Sequence, residues 1–392
     1  MRFIVEEIHT GKFVDLDLPL QDPSIKVTLS GPQVISGKLA LDTKPLTDLA
    51  LTAWGHYIHC EEDGKIVATG ILMPTSISED GTLSIEAEGI STYPHGLPFM
   101  GDYQGIQVDP MSVVAMIWKH IESFPFSIPH IQLDGTECPI RIGTEPKQVE
   151  FETGAGEQVS FESGPYKLSW FDWPDCGAEI DKLAADTPFD YIERQYWRDK
   201  EHTQIGKTIE MGYPRIGRKR EDLTFRWDEN IVSAVPALED SEIYANHVIL
   251  AGAGEGRDQV WQSAQSIPPT NRLRRALVFK DGSVRSRARA KKIAEDYLSR
   301  HKSLISVSSI VIDGTHANAP LGSFVVGDDV LIEADLPWIG RIALWHRIVS
   351  YTWSPETSKI VLDLIRSDNF RYGYNEPVNE PDEVPKPVKP AT

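Results

Sequence analysis

Short apolar runs separated by turn residues recur along most of this chain, and they constrain its fold more than any other feature. They begin in the segment from Phe3 to Tyr93. There, Tyr57–Cys60 and Ile66–Met73 flank the turn Glu61–Gly64, whose Asp-Gly pair readily adopts the positive φ angles of a tight hairpin. In Thr82–Glu88 apolar and polar residues alternate, so the apolar ones share one face of a strand. The pattern predicts antiparallel β-structure.

A similar pattern returns near the C-terminus. The order of strand, turn, strand, turn, strand in Tyr57–Glu88 recurs in Val330–Ile365, with Ile339–Arg341 in the place of Thr69–Ile71. We therefore predict a mainly β fold with an α+β insertion, in which two β-barrel-like domains flank a mixed middle region. The late strands are predicted at Leu304–Ile312, Asp329–Ala334, Arg341–Trp353 and Lys359–Ile365.

Three helices are predicted among these strands. Asp109 can cap the first, and Pro110 suits its first position, so the helix should run to about Ser123. Ala178–Ala185 is a short second helix, and Ser283–Arg300 is a long third helix with basic residues toward solvent. Further strands are predicted at Phe189–Trp197, Ile205–Met211, Leu223–Trp227 and Asn246–Ala251.

A chain of 392 residues exceeds what one hydrophobic core usually organises, so several domains are expected. The predicted division is an N-terminal β-rich domain at 1–104, an α+β middle domain at 105–204, a β segment at 205–265 that packs with one of these two, a C-terminal domain with the long helix and the second barrel at 266–375, and a Pro-rich extended tail at 376–392.

Composition and charge exclude several classes of protein. No apolar run approaches the roughly 18 residues that a membrane span needs, and the N-terminus has no signal-peptide pattern. A formal net charge of −19 argues against a surface that grips nucleic acid. The three cysteines are far apart and odd in number, which predicts neither a disulfide framework nor a structural zinc site.

Two motifs could suggest a cofactor or a metal. Val248–Arg257 is an apolar strand that runs into a glycine-rich turn, but Arg257 stands where a dinucleotide site needs its third glycine, and Ile267–Pro269 leaves little room for a crossover helix. His56 and His59, the latter beside Cys60, would face opposite sides of a strand. No catalytic, cofactor-binding or metal-binding residue is predicted.

Two further groups of residues suggest ligands. Asp172, Asp175 and Glu179 near Trp170 and Trp173 could form a glycan-binding or glycan-cleaving cleft, although Asp175 could equally cap the second helix. The basic stretch of the third helix could contact phosphates, but in so acidic a chain it fits an acidic neighbouring subunit better. Its residues are Arg285, Arg287, Arg289, Lys292 and Arg300.

The order of several diffuse motifs resembles that of minor tail proteins, or baseplate hub proteins, of long-tailed phages of actinobacteria. The N-terminal motifs are Gly37–Leu41, Trp54–Ile58, Gly64–Leu72 and Leu83–Gly89. The later ones are Asp109–Met111 with Trp118, Ala245–Val248 with Gly252–Arg257, and Val326–Val330 with Arg347–Val349.

This resemblance implies a non-enzymatic virion protein without cofactors. Such a protein would form a homotrimeric ring at the tail tip of a siphovirus, after assembly in the host cytoplasm. The ring would join the tail tube and the distal tail protein to the tip or receptor-binding proteins, enclose the tape-measure protein, and serve as a conduit for DNA ejection. The alternative is a carbohydrate-binding or glycan-degrading tail component.

Overall fold

The computed structural model describes most of the chain from residue 1 to residue 367. The residues it leaves out within that span are 41–50, 130, 144, 146, 153–157, 188, 228, 239–243, 253–258, 267–272, 281–283, 285–286, 302–304, 337 and 339. The predicted Pro-rich tail, 376–392, lies outside the described residues.

Eight strands form the N-terminal half of a large sheet, in which they follow the order β3-β4-β8-β6-β5-β1-β2, with β7 paired to β8. The predicted hairpin is confirmed: Asp63 and Gly64 have φ angles of 48° and 75°, which the tight turn requires. The strands are β1 (Arg2–Glu7), β2 (Phe13–Asp15), β3 (Gln21–Thr28), β4 (Val34–Leu39), β5 (His56–Glu62), β6 (Lys65–Leu72), β7 (Ser76–Ile77) and β8 (Leu83–Glu88).

The middle region contains helices as well as short sheets. Asp109 caps the first helix as predicted, because its Oδ1 accepts the Met111 N–H at 2.8 Å, and Pro110 occupies the first turn. The elements are β9 (Asp102–Gly105), α1 (Pro110–Glu122), β10 (Gln132–Asp134), β11 (Lys147–Glu152), β12 (Gln158–Ser163), β13 (Tyr166–Ser169), α2 (Cys176–Asp186), β14 (Asp190–Trp197) and β15 (Ile205–Gly212).

The C-terminal half of the large sheet follows the order β17-β21-β24-β23, and β22 lies between β23 and β16. Its elements are β16 (Lys219–Arg226), β17 (Ile231–Leu238), β21 (Ile305–Asp313), β22 (Asp329–Leu336), β23 (Gly340–Ser354) and β24 (Lys359–Arg366). The repeated order of strands is visible in two antiparallel meanders, β5-β6-β8 and β22-β23-β24. Gly340, however, begins β23, whereas Gly70 lies inside β6.

The two halves are one continuous sheet because β3 pairs with β23, placing Val27 opposite Tyr351. One hydrophobic core spans both halves. Burial of each large side chain in it contributes roughly 1.5–3 kcal/mol. Its buried members include Ile25, Ile35, Ile58, Leu72 and Ile85 from the first half, and Phe225, Ile310, Ile332, Ile348 and Leu362 from the second.

A second core belongs to the middle region and surrounds one face of α1, where Val113, Ile117 and Trp118 are buried as predicted. Strand β14 lies between these two cores. Side chains alternate along a strand, so neighbouring residues of β14 face different cores. Tyr191 accordingly packs into the second core and Ile192 into the first. Mainly β structure with a mixed middle region is therefore confirmed. Among the described helices, none combines the length and apolarity needed to cross a membrane.

A third, smaller core lies in residues 245–301, which we call the basic module. Its strands follow the order β19-β18-β20, with α3 packed on one face. Its elements are β18 (His247–Ala251), β19 (Trp261–Gln265), β20 (Ala276–Lys280) and α3 (Arg287–His301). The strands of the predicted segment 205–265 thus belong to three parts of the fold. Strand β15 pairs with β14 of the middle region, and β16 and β17 pair with strands of the C-terminal half. Strands β18 and β19 belong to the basic module.

Candidate interaction surfaces and buried polar sites

A buried polar network joins the N-terminal sheet to the middle region. The Nε2 atom of His59 lies 3.0 Å from Glu6 Oε2, and its Nδ1 lies 2.7 Å from Thr69 Oγ1. Lys207, on β15, donates from Nζ to Glu6 Oε1 at 2.7 Å and lies 4.4 Å from the centre of the Tyr57 ring. The charged groups of this network therefore meet partners, as burial of charge requires, whereas the buried Tyr57 hydroxyl has no hydrogen-bond partner among the described residues.

Burial and ion pairing shift the pKa values of this network in opposite directions. Burial lowers the pKa of His59 and of Lys207, although Glu6 acts in the opposite direction on both. Burial alone would raise the pKa of Glu6, but the hydrogen bonds from His59 and Lys207 bring it below its ordinary value. The arrangement holds a carboxylate and an ammonium group as a buried pair beside an imidazole.

His56 and His59, the two histidines considered as metal ligands, make separate contacts. His56 does not join His59, because its Nδ1 lies 3.2 Å from the backbone nitrogen of Thr52. Cys60 is buried, and burial raises the pKa of its thiol to about 12. Among the described residues no group of three or more His, Cys, Asp or Glu side chains could hold a metal ion.

Glu193, on β14, is a second buried acid at the same junction and is only 4% exposed. Its Oε1 accepts the Ser91 N–H at 2.7 Å, and its backbone oxygen accepts from Gln33 Nε2 at 3.1 Å. Its Oε2 is buried without a hydrogen-bond partner among the described residues. Burial raises the pKa of Glu193 to about 7, so this carboxyl group titrates near neutrality.

An ion pair joins the middle region to the C-terminal half of the sheet. The guanidinium of Arg347 bonds to Asp190 and also donates to the backbone oxygens of Ile216 and Gly327, at 2.8 Å and 3.2 Å. The other role of Asp190 is to accept the Ile216 N–H at 2.8 Å. We call this cluster the Arg347 joint. It brings two motifs of the sequence together, since Gly327 and Arg347 come from Val326–Val330 and Arg347–Val349.

Further ion pairs support the Arg347 joint. Arg215 pairs with Asp329 at 2.9 Å, and Arg220 pairs with Asp328 at 3.2 Å. The chain is so close at this point that a Cβ on Gly217, whose φ is 94°, would collide with the backbone of the neighbouring loop. The joint is therefore a tightly fitted contact, which only a glycine permits at position 217.

The aromatic residues near α2 form an exposed cluster. Trp170 is 48% exposed, Phe171 61% and Trp173 56%. The rings of Trp170 and Trp173 stand edge to face at 6.3 Å, and Trp173 has a positive φ of 49°. The cluster presents apolar surface to solvent, which is typical of an interaction site.

The carboxylates beside this cluster have structural roles. Asp175 caps α2, because its Oδ1 accepts the Ala178 N–H at 2.8 Å. Glu179 accepts the Tyr166 hydroxyl at 2.6 Å and is 3.3 Å from Lys182. These contacts favour the capping interpretation of Asp175 over a pair of catalytic carboxylates.

Among the described residues, no helix lies between β18 and β19. The chain returns from β18 directly into β19, which is antiparallel to it, so no βαβ unit begins here. Residues 253–258 of the predicted turn lie outside the described residues. The arrangement therefore gives a nucleotide site no support.

The third predicted helix begins at Arg287, later than the predicted Ser283, and buries Ala294 and Leu298 as expected. Arg287 and Lys292 are exposed. Arg285 and the side chains of Arg289 and Arg300 lie outside the described residues.

Three solved structures of similar fold align with this chain over more than nine-tenths of its length. Prophage tail protein gp18 from Listeria monocytogenes EGD-e is 12% identical with a TM-score of 0.55, over 93% of this chain and 94% of that chain. The 43 kDa tail protein of prophage MuSo2 from Shewanella oneidensis is 10% identical with a TM-score of 0.57, over 93% and 98%. This chain has the fold of prophage tail proteins.

A tail protein from Neisseria meningitidis MC58 gives the same result, with 13% identity and a TM-score of 0.55 over 94% of this chain and 97% of that chain. Comparison with protein-family models and with curated proteins finds no match. The likeness therefore lies in the fold, since identities this low leave few shared side chains from which a site could be transferred.

Sequence reasoning missed the buried polar network and the Arg347 joint. Glu6 and Lys207 are 201 residues apart in the sequence, so no local pattern links the two. The only usable signal was a charged residue at an apolar-face position of a predicted strand. Glu6 directly continues the apolar run Phe3–Val5.

Proposed function

We propose that this protein is a structural subunit of a phage tail tip. In this proposal it forms a hub ring that links the tail tube and the distal tail protein to tip proteins and surrounds the path of DNA ejection. The observation that carries the proposal is the likeness to three prophage tail proteins over more than nine-tenths of both chains. The continuous sheet of two meanders supports it, because a ring needs similar units in succession.

The finer parts of the proposal follow from the resemblance. The subunits form a homotrimer in the tail tip of a siphovirus that infects actinobacteria. They assemble in the host cytoplasm and have no enzymatic role. Its partners are the distal tail protein, the tape-measure protein and tip or receptor-binding proteins. The domain division at 1–104, 105–204, 205–265, 266–375 and 376–392 belongs to the same proposal.

The purified protein is expected to form trimeric rings. Negative-stain electron microscopy should show three-lobed or pseudo-sixfold particles with a central hole. Light scattering should give a mass three times the 43.9 kDa of the chain. Compact monomers at all concentrations would contradict the hub ring.

Glycan binding is the second candidate function, and the exposed aromatic cluster favours it because indole faces stack on sugar rings. If the cluster binds host polysaccharide, Trp173→Ala should reduce retention on that polysaccharide about fivefold, since stacking on an aromatic ring contributes roughly 1 kcal/mol. The matched control is Trp338→Ala, which removes a fully exposed tryptophan from the turn between β22 and β23. Equal retention of the wild type and both variants would contradict glycan binding by this cluster.

A further inference from the structure

The basic module differs in charge from the rest of the chain. Residues 245–301 contain eleven Lys and Arg residues but only five Asp and Glu residues, a net charge of +6. Since the whole chain carries −19, the remaining residues carry −25. Opposite charges of this size on two parts of one protein favour contact between the basic part of one copy and an acidic part of another.

The face of the module sheet that lies opposite α3 carries exposed side chains. Side chains alternate along a strand, and Val248, Leu250 and Ala264 point to α3. Their neighbours point to the opposite face: Trp261 is 58% exposed there, and Val278 is 56% exposed. We call this surface the module face.

Register places the apolar and basic residues of the module face together. Ala251 lies opposite both Trp261 and Lys280, and Ile249 lies opposite Val278. Lys280 is exposed, and the exposed Arg274 donates from Nε to His247 Nδ1 at 3.0 Å. An apolar centre with cations at its rim is the usual anatomy of a protein–protein interface. It does not suit a phosphate backbone, which is bound by clustered cations.

A complementary segment lies at the other end of the chain. Residues 14–17, Val-Asp-Leu-Asp, alternate apolar and acidic side chains, and we call them the acidic edge. Val14 is 38% exposed and Leu16 53%. Strand β2, in which the segment begins, pairs with β1 and with no other described strand. The region 1–104 around it has fifteen acidic residues against six basic ones.

We propose that the module face of one copy docks on the acidic edge of a second copy. Val14 and Leu16 pack against Trp261 and Val278, while the exposed carboxylate of Asp17, which lies beyond the end of β2, pairs with Arg274 and Lys280. Two different surfaces of the same chain then form a heterologous contact, which generates a ring when its rotation closes. This inference rests on the proposed hub function, because it assigns the surface through which the subunits of the ring meet.

Charge reversal on the full-length chain tests the contact. R274E/K280E should raise the concentration at which copies associate by at least about tenfold at low salt, because it turns attraction into repulsion. D15K/D17K should have the same effect. The chain that carries all four substitutions should associate like the wild type, because it restores opposite charges with the signs exchanged. K167E/K200E, which reverses two exposed lysines outside the module, is the matched control and should associate normally.

Sedimentation at low and high salt measures the association, and thermal melting verifies that each variant is folded. Association that R274E/K280E leaves unchanged, or that the fourfold variant fails to restore while folded, would overturn the contact. Wild-type rings that persist in R274E/K280E would overturn it and leave the hub proposal intact. If the wild type forms only salt-sensitive dimers and no rings, and R274E/K280E abolishes these dimers, the result would support the contact and contradict the ring. Loss of DNA binding alone in R274E/K280E would assign the face to nucleic acid and overturn the proposal.

Discussion

Arg347→Ala is expected to lower the free energy of unfolding by about 3 kcal/mol, because it leaves the carboxylate of Asp190 in a largely buried position without its counter-ion. The Arg347 and Asp190 side chains are only 15% and 16% exposed, so water does not easily replace the lost contact. The substitution also leaves the backbone oxygens of Ile216 and Gly327 without their guanidinium donor. Urea unfolding at neutral pH measures the change.

The control for this prediction is a pair of similar chemistry on the surface. Arg194 bonds to Glu210 at 2.9 Å, but the two side chains are 41% and 42% exposed. Arg194→Ala should therefore cost about 1 kcal/mol or less. Equal losses in the two variants would contradict the role assigned to the Arg347 joint and would place its ion pair among ordinary surface contacts.

Glu193→Gln is expected to change how stability depends on pH. The pKa of Glu193 is raised from 4.5 to about 7, so between these values the folded protein keeps a proton that the unfolded chain has released. The free energy of unfolding of the wild type therefore falls as pH rises through this window, by up to roughly 3 kcal/mol from this one group. Glutamine does not titrate, so the variant should gain on the wild type by that amount between about pH 5 and about pH 8.

Other titrating groups do not obscure this comparison. The lowered pKa of His59 gives a contribution of the opposite sign, which is lost as pH falls below 6.5, but wild type and variant share it and it cancels in their difference. Urea unfolding of both proteins across that pH range measures the difference. Gln33→Met is the control: it removes a buried hydrogen-bonding partner of Glu193 and should lower stability without changing the pH course. A constant difference between Glu193→Gln and the wild type would contradict the prediction.

Local elements were predictable because their signals lie within a few residues. The hairpin β5–β6, the capped start of α1 and the strands from β21 to β24 follow from alternation, from Asp-Gly and Asp-Pro pairs and from apolar periodicity. The start of α3 was predicted less well, because no capping residue marks it unambiguously among the serines and arginines of 283–289.

Candidate sites were predictable only in part. The capping of the second helix by Asp175 was one of two alternatives that the local sequence left open, and the structure shows that cap. Glu193, by contrast, resembles any other acid of an amphipathic strand. Its unusual proton affinity arises from burial against Gly89 and Ser91, which come from a different part of the chain.

The sequence by itself determined the mainly β character, the approximate bounds of three helices and of strands such as β5, β6, β14, β15 and β21 to β24, and the basic stretch of the third helix, because these depend on residue type and short-range spacing. Only the tertiary structure decided that β3 pairs with β23, that Lys207 meets Glu6, and that Arg347 meets Asp190. Such contacts depend on the loops between distant segments and on the burial of both partners. A single sequence does not show how distant segments are placed or which charged side chains are buried. Every acidic residue could therefore pair with many basic residues, and only the fold determines which pair forms.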